Sequence, residues 1–165
     1  MSYFRGQTIG NAAASMNAKQ VNYDPTRGQD GSLTISVSTV GTLYGLEWGN
    51  MITAGVRTDT TGTTGSAMDS GAATTNFGLQ AYMHVFSFTG TSFTAPIQES
   101  SDNGADAYAA VVGGAFAAAS AVGTQRIATA TNLAVERYLR VVTTGTFTEA
   151  SFAINIVRNQ TTPVF

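Results

Sequence analysis

A chain of 165 residues with a formal net charge of -2 is long enough for one domain with a sizeable core, but it carries few charges. Only 11% of its residues are charged, so the sequence lacks the basic face that nucleic-acid binding needs. Cysteine is absent, which excludes disulfides and thiolate metal sites. No long apolar run or signal-peptide pattern predicts a membrane span or cleaved export. A surface this poor in charge suits packing against other subunits.

The first thirty-one residues show little apolar periodicity, so residues 1–31 predict an extended N-terminal arm. A disordered leader is the alternative, and a short helix over residues 12–20, capped by Asn11, is also compatible with the sequence. The arm carries more apolar anchors than solvated tails usually do, which favours docking on a partner. The candidate partner-binding residues are Tyr3, Phe4, Ile9, Tyr23 and Arg27.

Residues 32–165 contain eight or nine short segments in which apolar and polar residues alternate, separated by turn residues. This pattern predicts an all-β fold, a β-sandwich of the jelly-roll or galactose-binding-like type with an extended N-terminal arm. Because its first strand starts at Ser32, the sandwich is expected to fold in a chain that begins near Asp30. The stretch 77–89 is apolar on both faces, with Tyr82, Phe86 and Phe88 on one of them, and predicts a central strand or a subunit contact.

The clearest alternation lies between Glu136 and Asn159, which predicts two strands joined by a turn that begins at Thr143. One face of each strand is expected to lie in the core, together with one face of the stretch 77–89. The predicted core residues are Leu79, Met83, Val85, Leu139, Val141, Phe152, Ile154 and Ile156.

Nothing in the sequence predicts catalysis or a bound cofactor. His84 is the sole histidine and lies within an apolar strand, where a structural role is the usual one. No G-x-S-x-G elbow accompanies it, and no phosphate-binding loop is present. Asp102, Asn103 and Asp106 have the ligand types for a hard cation, but their spacing fits a turn better. The chain is therefore predicted to be no enzyme and to hold no metal.

Three aromatic residues are the only plausible sugar-stacking platform: Tyr44, Trp48 and Tyr108. They leave open a carbohydrate-binding module for host attachment, although such rings are more often half-buried structural residues.

Four blocks of the sequence resemble structural proteins of tailed actinobacterial phages, and together they cover about four-fifths of the chain. The blocks are DGSLTISV, YGLEWGNMITAGVRTDTTGTTGSAMDSG, FGLQAYMHVFSFTGTSFTAPIQESSDNG and GTQRIATATNLAVERYLRVVTTGTFTEASFAINIVRN. In those proteins the matching region resembles a C-terminal β-sandwich that follows a tail-tube-like domain in the sequence. The segment IQESSDNGADAYAAV followed by ERYLRVV is also similar to discoidin-like sandwiches. No catalytic residue is implied.

The resemblance implies a virion structural protein made in the host cytoplasm, with itself and the major capsid or tail proteins as partners. Nucleic acid and membranes are not expected among them. Because a leader of about thirty residues is too short for a tube domain of roughly a hundred, a capsid decoration protein is favoured over a major tail protein. A symmetric homo-oligomer is expected, either a trimer on a capsid or a hexameric ring in a tube. If the arm belongs to the sheet, the major tail protein becomes the favoured alternative.

Overall fold

The structure is a computed structural model that describes residues 1–42, 44–71 and 73–163. Within those ranges the backbone forms thirteen strands and no helix, so the predicted all-β class is confirmed. The strands are β1 (Ser2–Phe4), β2 (Ala12–Ser15), β3 (Ala18–Arg27), β4 (Leu33–Gly41), β5 (Glu47–Met51), β6 (Arg57–Asp59), β7 (Met68–Asp69), β8 (Leu79–Thr94), β9 (Pro96–Ser100), β10 (Ala109–Ala115), β11 (Gly123–Ala128), β12 (Tyr138–Val141) and β13 (Thr144–Arg158).

The strands form two sheets and a separate two-stranded ribbon. The larger sheet has the order β1-β2-β5-β13-β8-β11, with β6 also paired to β13. The smaller sheet has the order β10-β9-β12-β7, and the ribbon consists of β3 and β4. All of these pairs are antiparallel, and the apolar core lies between the two sheets in a sandwich-like arrangement.

The core forms as the alternation predicts. All eight residues predicted to be buried are buried: Leu79, Met83, Val85, Leu139, Val141, Phe152, Ile154 and Ile156. The fully buried ring of Phe93 lies among them, with its centroid 5.6 Å from that of Phe152 and 5.8 Å from that of Phe147. Rings at these separations add a specific packing contribution to the burial of their apolar area.

The apolar stretch 77–89 forms most of β8 and is central, between β13 and β11. Its predicted faces are wrong beyond Phe86, because Phe86 is an extra residue in the pairing with β13. Such a bulge reverses the alternation of side chains. Phe86 is exposed, whereas Phe88 stacks on Phe93 at 5.6 Å instead of lying on the outer face with Tyr82.

The two strands near the C-terminus are present, but the predicted hairpin between them is wrong. β12 pairs with β9 and β7 in the smaller sheet, and β13 pairs with β8 in the larger one. The chain crosses between the sheets at Thr143, whose buried hydroxyl donates a 2.6 Å hydrogen bond to Asp59 Oδ2. Alternation shows only that each strand presents one face to the core. Two strands show the same alternation whether they are neighbours within one sheet or lie in two sheets that face each other across the core.

The predicted arm is part of the folded domain. β1 pairs with β2, and β2 pairs with β5, so residues 2–15 extend the edge of the larger sheet. The alternative of a helix over 12–20 is wrong, because pairing with β5 and burial of Ala13, Ala14 and Ser15 outweigh the helix preference of alanine. The predicted boundary at residue 31 falls in the turn that joins β3 to β4.

We expect Ile154→Ala to lower the free energy of unfolding by about 2–5 kcal/mol, because it leaves a cavity between β13 and the smaller sheet. Urea denaturation of the variant and of the exposed control Thr146→Ala measures the difference. A loss below about 0.5 kcal/mol for Ile154→Ala would contradict the packing of this face.

A chain that begins at Asp30 is now expected to be strongly destabilised instead of near-native. It lacks β1 and β2, leaves the edge of β5 unpaired and removes Ser15, the hydrogen-bond partner of the buried Asn155 amide. Leaving a buried polar group without its partner alone costs about 1–3 kcal/mol. Thermal unfolding measures the loss, and a melting curve equal to that of the full chain would show that β1 and β2 are dispensable.

Candidate interaction surface

The second face of the larger sheet, away from the core, carries a chain of polar contacts that joins β1 to β8. The Ser2 hydroxyl lies 2.6 Å from His84 Nε2 and 2.5 Å from the Ser15 hydroxyl. The Asn155 amide donates to the Ser15 hydroxyl at 2.9 Å. Burial lowers the pKa of His84, and the N-terminal ammonium lowers it further. These contacts fasten the edge strand β1 over the centre of the sheet.

A partly buried ion pair joins β5 to β11 on the same face. Arg126 Nη2 lies 3.0 Å from Glu47 Oε1, and Arg126 Nε donates to the Tyr82 hydroxyl oxygen at 2.9 Å. The Tyr82 hydroxyl donates to Glu47 Oε2, and burial together with this carboxylate raises the pKa of Tyr82 to about 12. Since β5 and β11 are not neighbours in the sheet, this contact joins two strands that have no backbone pairing with each other.

The ribbon of β3 and β4 has one apolar and one polar face. On one face Tyr23 lies opposite Val37, Pro25 opposite Ile35 and Arg27 opposite Leu33. The opposite face carries only polar side chains between the bulge and the turn: Asn22, Asp24, Thr26, Thr34, Ser36 and Ser38. The apolar side chains are largely exposed: Leu33 65%, Tyr23 57%, Ile35 47% and Val37 41%. We call Tyr23, Pro25, Leu33, Ile35 and Val37 the ribbon face.

The ribbon face continues into a groove at the ribbon's base. This base groove has a volume of about 340 Å³ and no charged side chain in its lining: Met1, Tyr3, Ala14, Met16, Thr39, Leu46 and Trp48. Thr39 follows Val37 by two residues on β4, so both side chains lie on one side of the strand. The Thr39 hydroxyl lies 3.5 Å from Met1 Sδ and 3.7 Å from Met16 Sδ. The two parts therefore form one continuous surface that is largely apolar, with Arg27 at the far end of the ribbon.

This surface is exposed in the part of the chain that the structure describes. Within that part, β3 and β4 pair with each other and with no other strand. An isolated two-stranded ribbon is only marginally stable in water. Contiguous exposed apolar surface is typical of protein or membrane interaction sites and of ligand-binding grooves.

Two of the five predicted partner-binding residues belong to this surface. Tyr3 lines the base groove and Tyr23 lies on the ribbon face, with Arg27 beside it at the ribbon's far end. Phe4 instead packs edge-on against His84 at 6.3 Å, and Ile9 packs against the core.

Leu33, Ile35 and Val37 are not among the residues that the sequence predicts to bind a partner, because their strand was predicted to belong to the sandwich. Their alternation was the available signal, but alternation does not tell which surface covers the apolar face.

The three residues predicted as a sugar platform have different neighbours. The Arg126 guanidinium lies 3.8 Å from the ring centre of Tyr44, and the Arg140 guanidinium lies 3.7 Å from that of Tyr108. One face of each tyrosine is thus covered by a cation. Trp48 lines the base groove and is 60% exposed.

The residues that resembled a cation site form a turn. Asp102 Oδ1 accepts hydrogen bonds from the backbone N–H groups of Asp106 at 2.7 Å and Gly104 at 3.3 Å. No group of three or more histidine, cysteine or acidic residues is placed to hold a metal within residues 1–42, 44–71 and 73–163. Across the same ranges, no helix has the length and apolar character needed to cross a membrane.

No protein-family model matches the sequence, and no curated protein matches it either.

We expect acid to destabilise the protein through His84. Its folded pKa lies below the ordinary value of 6.5, so its neutral form favours folding and that stability is lost as the pH falls below 6.5. Urea unfolding at about pH 7.5 and about pH 5 measures the loss, and His84→Asn should reduce it. Equal pH dependence in both proteins would show that His84 titrates alike in the folded and unfolded states.

Proposed function

We propose that this protein is a non-enzymatic structural subunit of a tailed bacteriophage virion, which assembles with copies of itself. The observation that carries the proposal is the largely apolar surface formed by the ribbon face and the base groove, which is exposed in the described part of the chain. The resemblance of the four sequence blocks to phage structural proteins supports the virion setting.

Assembly fits this surface better than binding of a small molecule. Small-molecule sites are concave and bring a few polar groups together on the ligand. Here the apolar residues lie along a projecting ribbon, and the lining of the base groove contains no charged side chain. A projecting apolar element of this shape suits a protein neighbour that packs along its length.

Of the two virion settings, the geometry favours a ring of the tail-tube type. A decoration protein that docks by a flexible arm needs an arm, but β1 and β2 are strands of the larger sheet. The element that projects is the ribbon, about 30 Å long. In a closed ring of identical copies, each ribbon meets the same surface on its neighbour.

Capsid decoration is the second candidate, with the ribbon docking on a capsid protein instead of on another copy. The exposed ring of Trp48 is the feature that favours a carbohydrate-binding module, but a single ring without convergent polar groups gives that function less support.

The ribbon can be removed to test the proposal. Asn17 O accepts a 2.9 Å hydrogen bond from Thr42 N, and Ala18 lies opposite Gly41, so an Asn-Gly turn can replace residues 19–40. We expect the full chain to form rings or tubes in negative-stain images and the shortened chain to stay monomeric while it still unfolds in one cooperative transition. Assembly of the shortened chain would contradict the proposed role of the ribbon.

Point variants test the ribbon face without removing it. The double change Ile35→Thr and Val37→Thr keeps β-branched side chains but removes apolar surface, so we expect about tenfold weaker association or more in light-scattering titrations. Ser36→Ala on the polar face is the matched control, with association close to that of the unchanged protein. Equal association of all three proteins would show that the ribbon face is not the contact.

A further inference from the structure

The two outer edges of the ribbon differ in how they are protected against pairing. The edge of β3 carries Pro25, a bulge at Val21 and the charged residues Lys19, Asp24 and Arg27. These are the devices that natural proteins use to keep an exposed strand from pairing with another chain. β4 is nine residues long and has no proline, no charged residue and no bulge of its own. One edge is closed to pairing and the other is open.

The register shows which backbone groups the open edge offers. Gly28 N donates to Ser32 O at 2.8 Å, so the pair nearest the turn is hydrogen-bonded within the ribbon. Opposed pairs in an antiparallel ribbon alternate between bonded and outward-facing ones. The backbone N–H and C=O groups of Arg27 and Leu33 therefore point away from the partner strand. The same holds for the pair of Pro25 and Ile35, which agrees with a proline that has no N–H to donate. The backbone groups of Val37 also point outward.

Packing of the ribbon face alone is too small to hold two proteins together. A ribbon about 30 Å long and about 10 Å wide offers roughly 300 Å² on one face, whereas a stable interface takes about 800 Å² from each partner. Strand addition at an open edge supplies backbone hydrogen bonds along the same length. A neighbour that pairs with the edge also reaches the ribbon face.

We infer that the open edge of β4 pairs with a strand from a second copy of this chain, so that a continuous sheet crosses the subunit contact. A neighbour that covers the ribbon face and base groove must itself present a surface with few charges there. A second copy of this chain meets this condition, because only 11% of its residues are charged. The inference rests on the proposed function, because the occupant is another copy. It adds that backbone hydrogen bonds of Leu33, Ile35 and Val37 make the contact.

A proline at position 35 tests the edge separately from the face. Ile35→Pro keeps an apolar side chain and removes only an outward N–H, as Pro25 does directly opposite. The matched control Ile35→Val changes the side chain and keeps the N–H. We expect Ile35→Pro to associate about tenfold more weakly or worse in light-scattering titrations, and Ile35→Val to associate almost normally.

Amide hydrogen exchange of the unchanged protein gives a second measurement that does not depend on the folding of a variant. Exchange in the assembled state, followed by dissociation and NMR, should show slow exchange at Leu33, Ile35 and Val37 only when the copies are assembled. Thr34 and Ser36, which bond within the ribbon, should exchange slowly in the single chain as well.

The outcomes separate this inference from the proposed function. If the copies assemble but Ile35→Pro associates normally, or the three outward amides exchange fast, pairing at the edge is wrong and self-assembly stands. A chain that stays monomeric at high concentration overturns both. If these amides exchange slowly only after a different virion protein is added, that protein pairs with the edge of β4. This result would contradict pairing with a second copy of the chain.

Discussion

The pairing of β8 with β13 is the contact on which the rest of the structure depends. It runs from Thr144 opposite Thr94 to Arg158 opposite Leu79, and it places one face of both strands against the smaller sheet. Bulges along this pair decide which face Phe88, Phe93 and the residues beyond them present. The aromatic cluster of the core therefore exists only in this register, and a slip of one residue would turn it outward.

The other face of the same pair explains how a protein with few charged residues holds its edge strands. Partial burial of the Glu47–Arg126 pair and of the Ser2–His84 contact is accompanied by hydrogen bonds with Tyr82 and Ser15. Such contacts join strands that are not neighbours in the sheet. The N-terminal residues thereby become the floor of the base groove instead of a free arm.

Apolar side chains of the ribbon are exposed. Its polar face meets water as expected, while among the described residues its two strands pair only with each other. In a protein with so few charges, this arrangement is consistent with a surface that another subunit covers. The low charge content of the chain and the exposed apolar side chains of the ribbon thus both support the assembly that we propose.

Alternation of side chains in the sequence determined the all-β class and all eight predicted core positions, because the period of a strand follows from its backbone geometry. The number of apolar residues near the N-terminus, not alternation, marked Tyr3 and Tyr23 as candidate anchors, and both are exposed in the structure. Only the tertiary structure decided that β12 and β13 lie in different sheets, that β1 and β2 join the larger one, and that Leu33, Ile35 and Val37 face away from the core. Pairing partners depend on contacts between residues far apart in the chain, and a local pattern is the same whichever surface finally covers it.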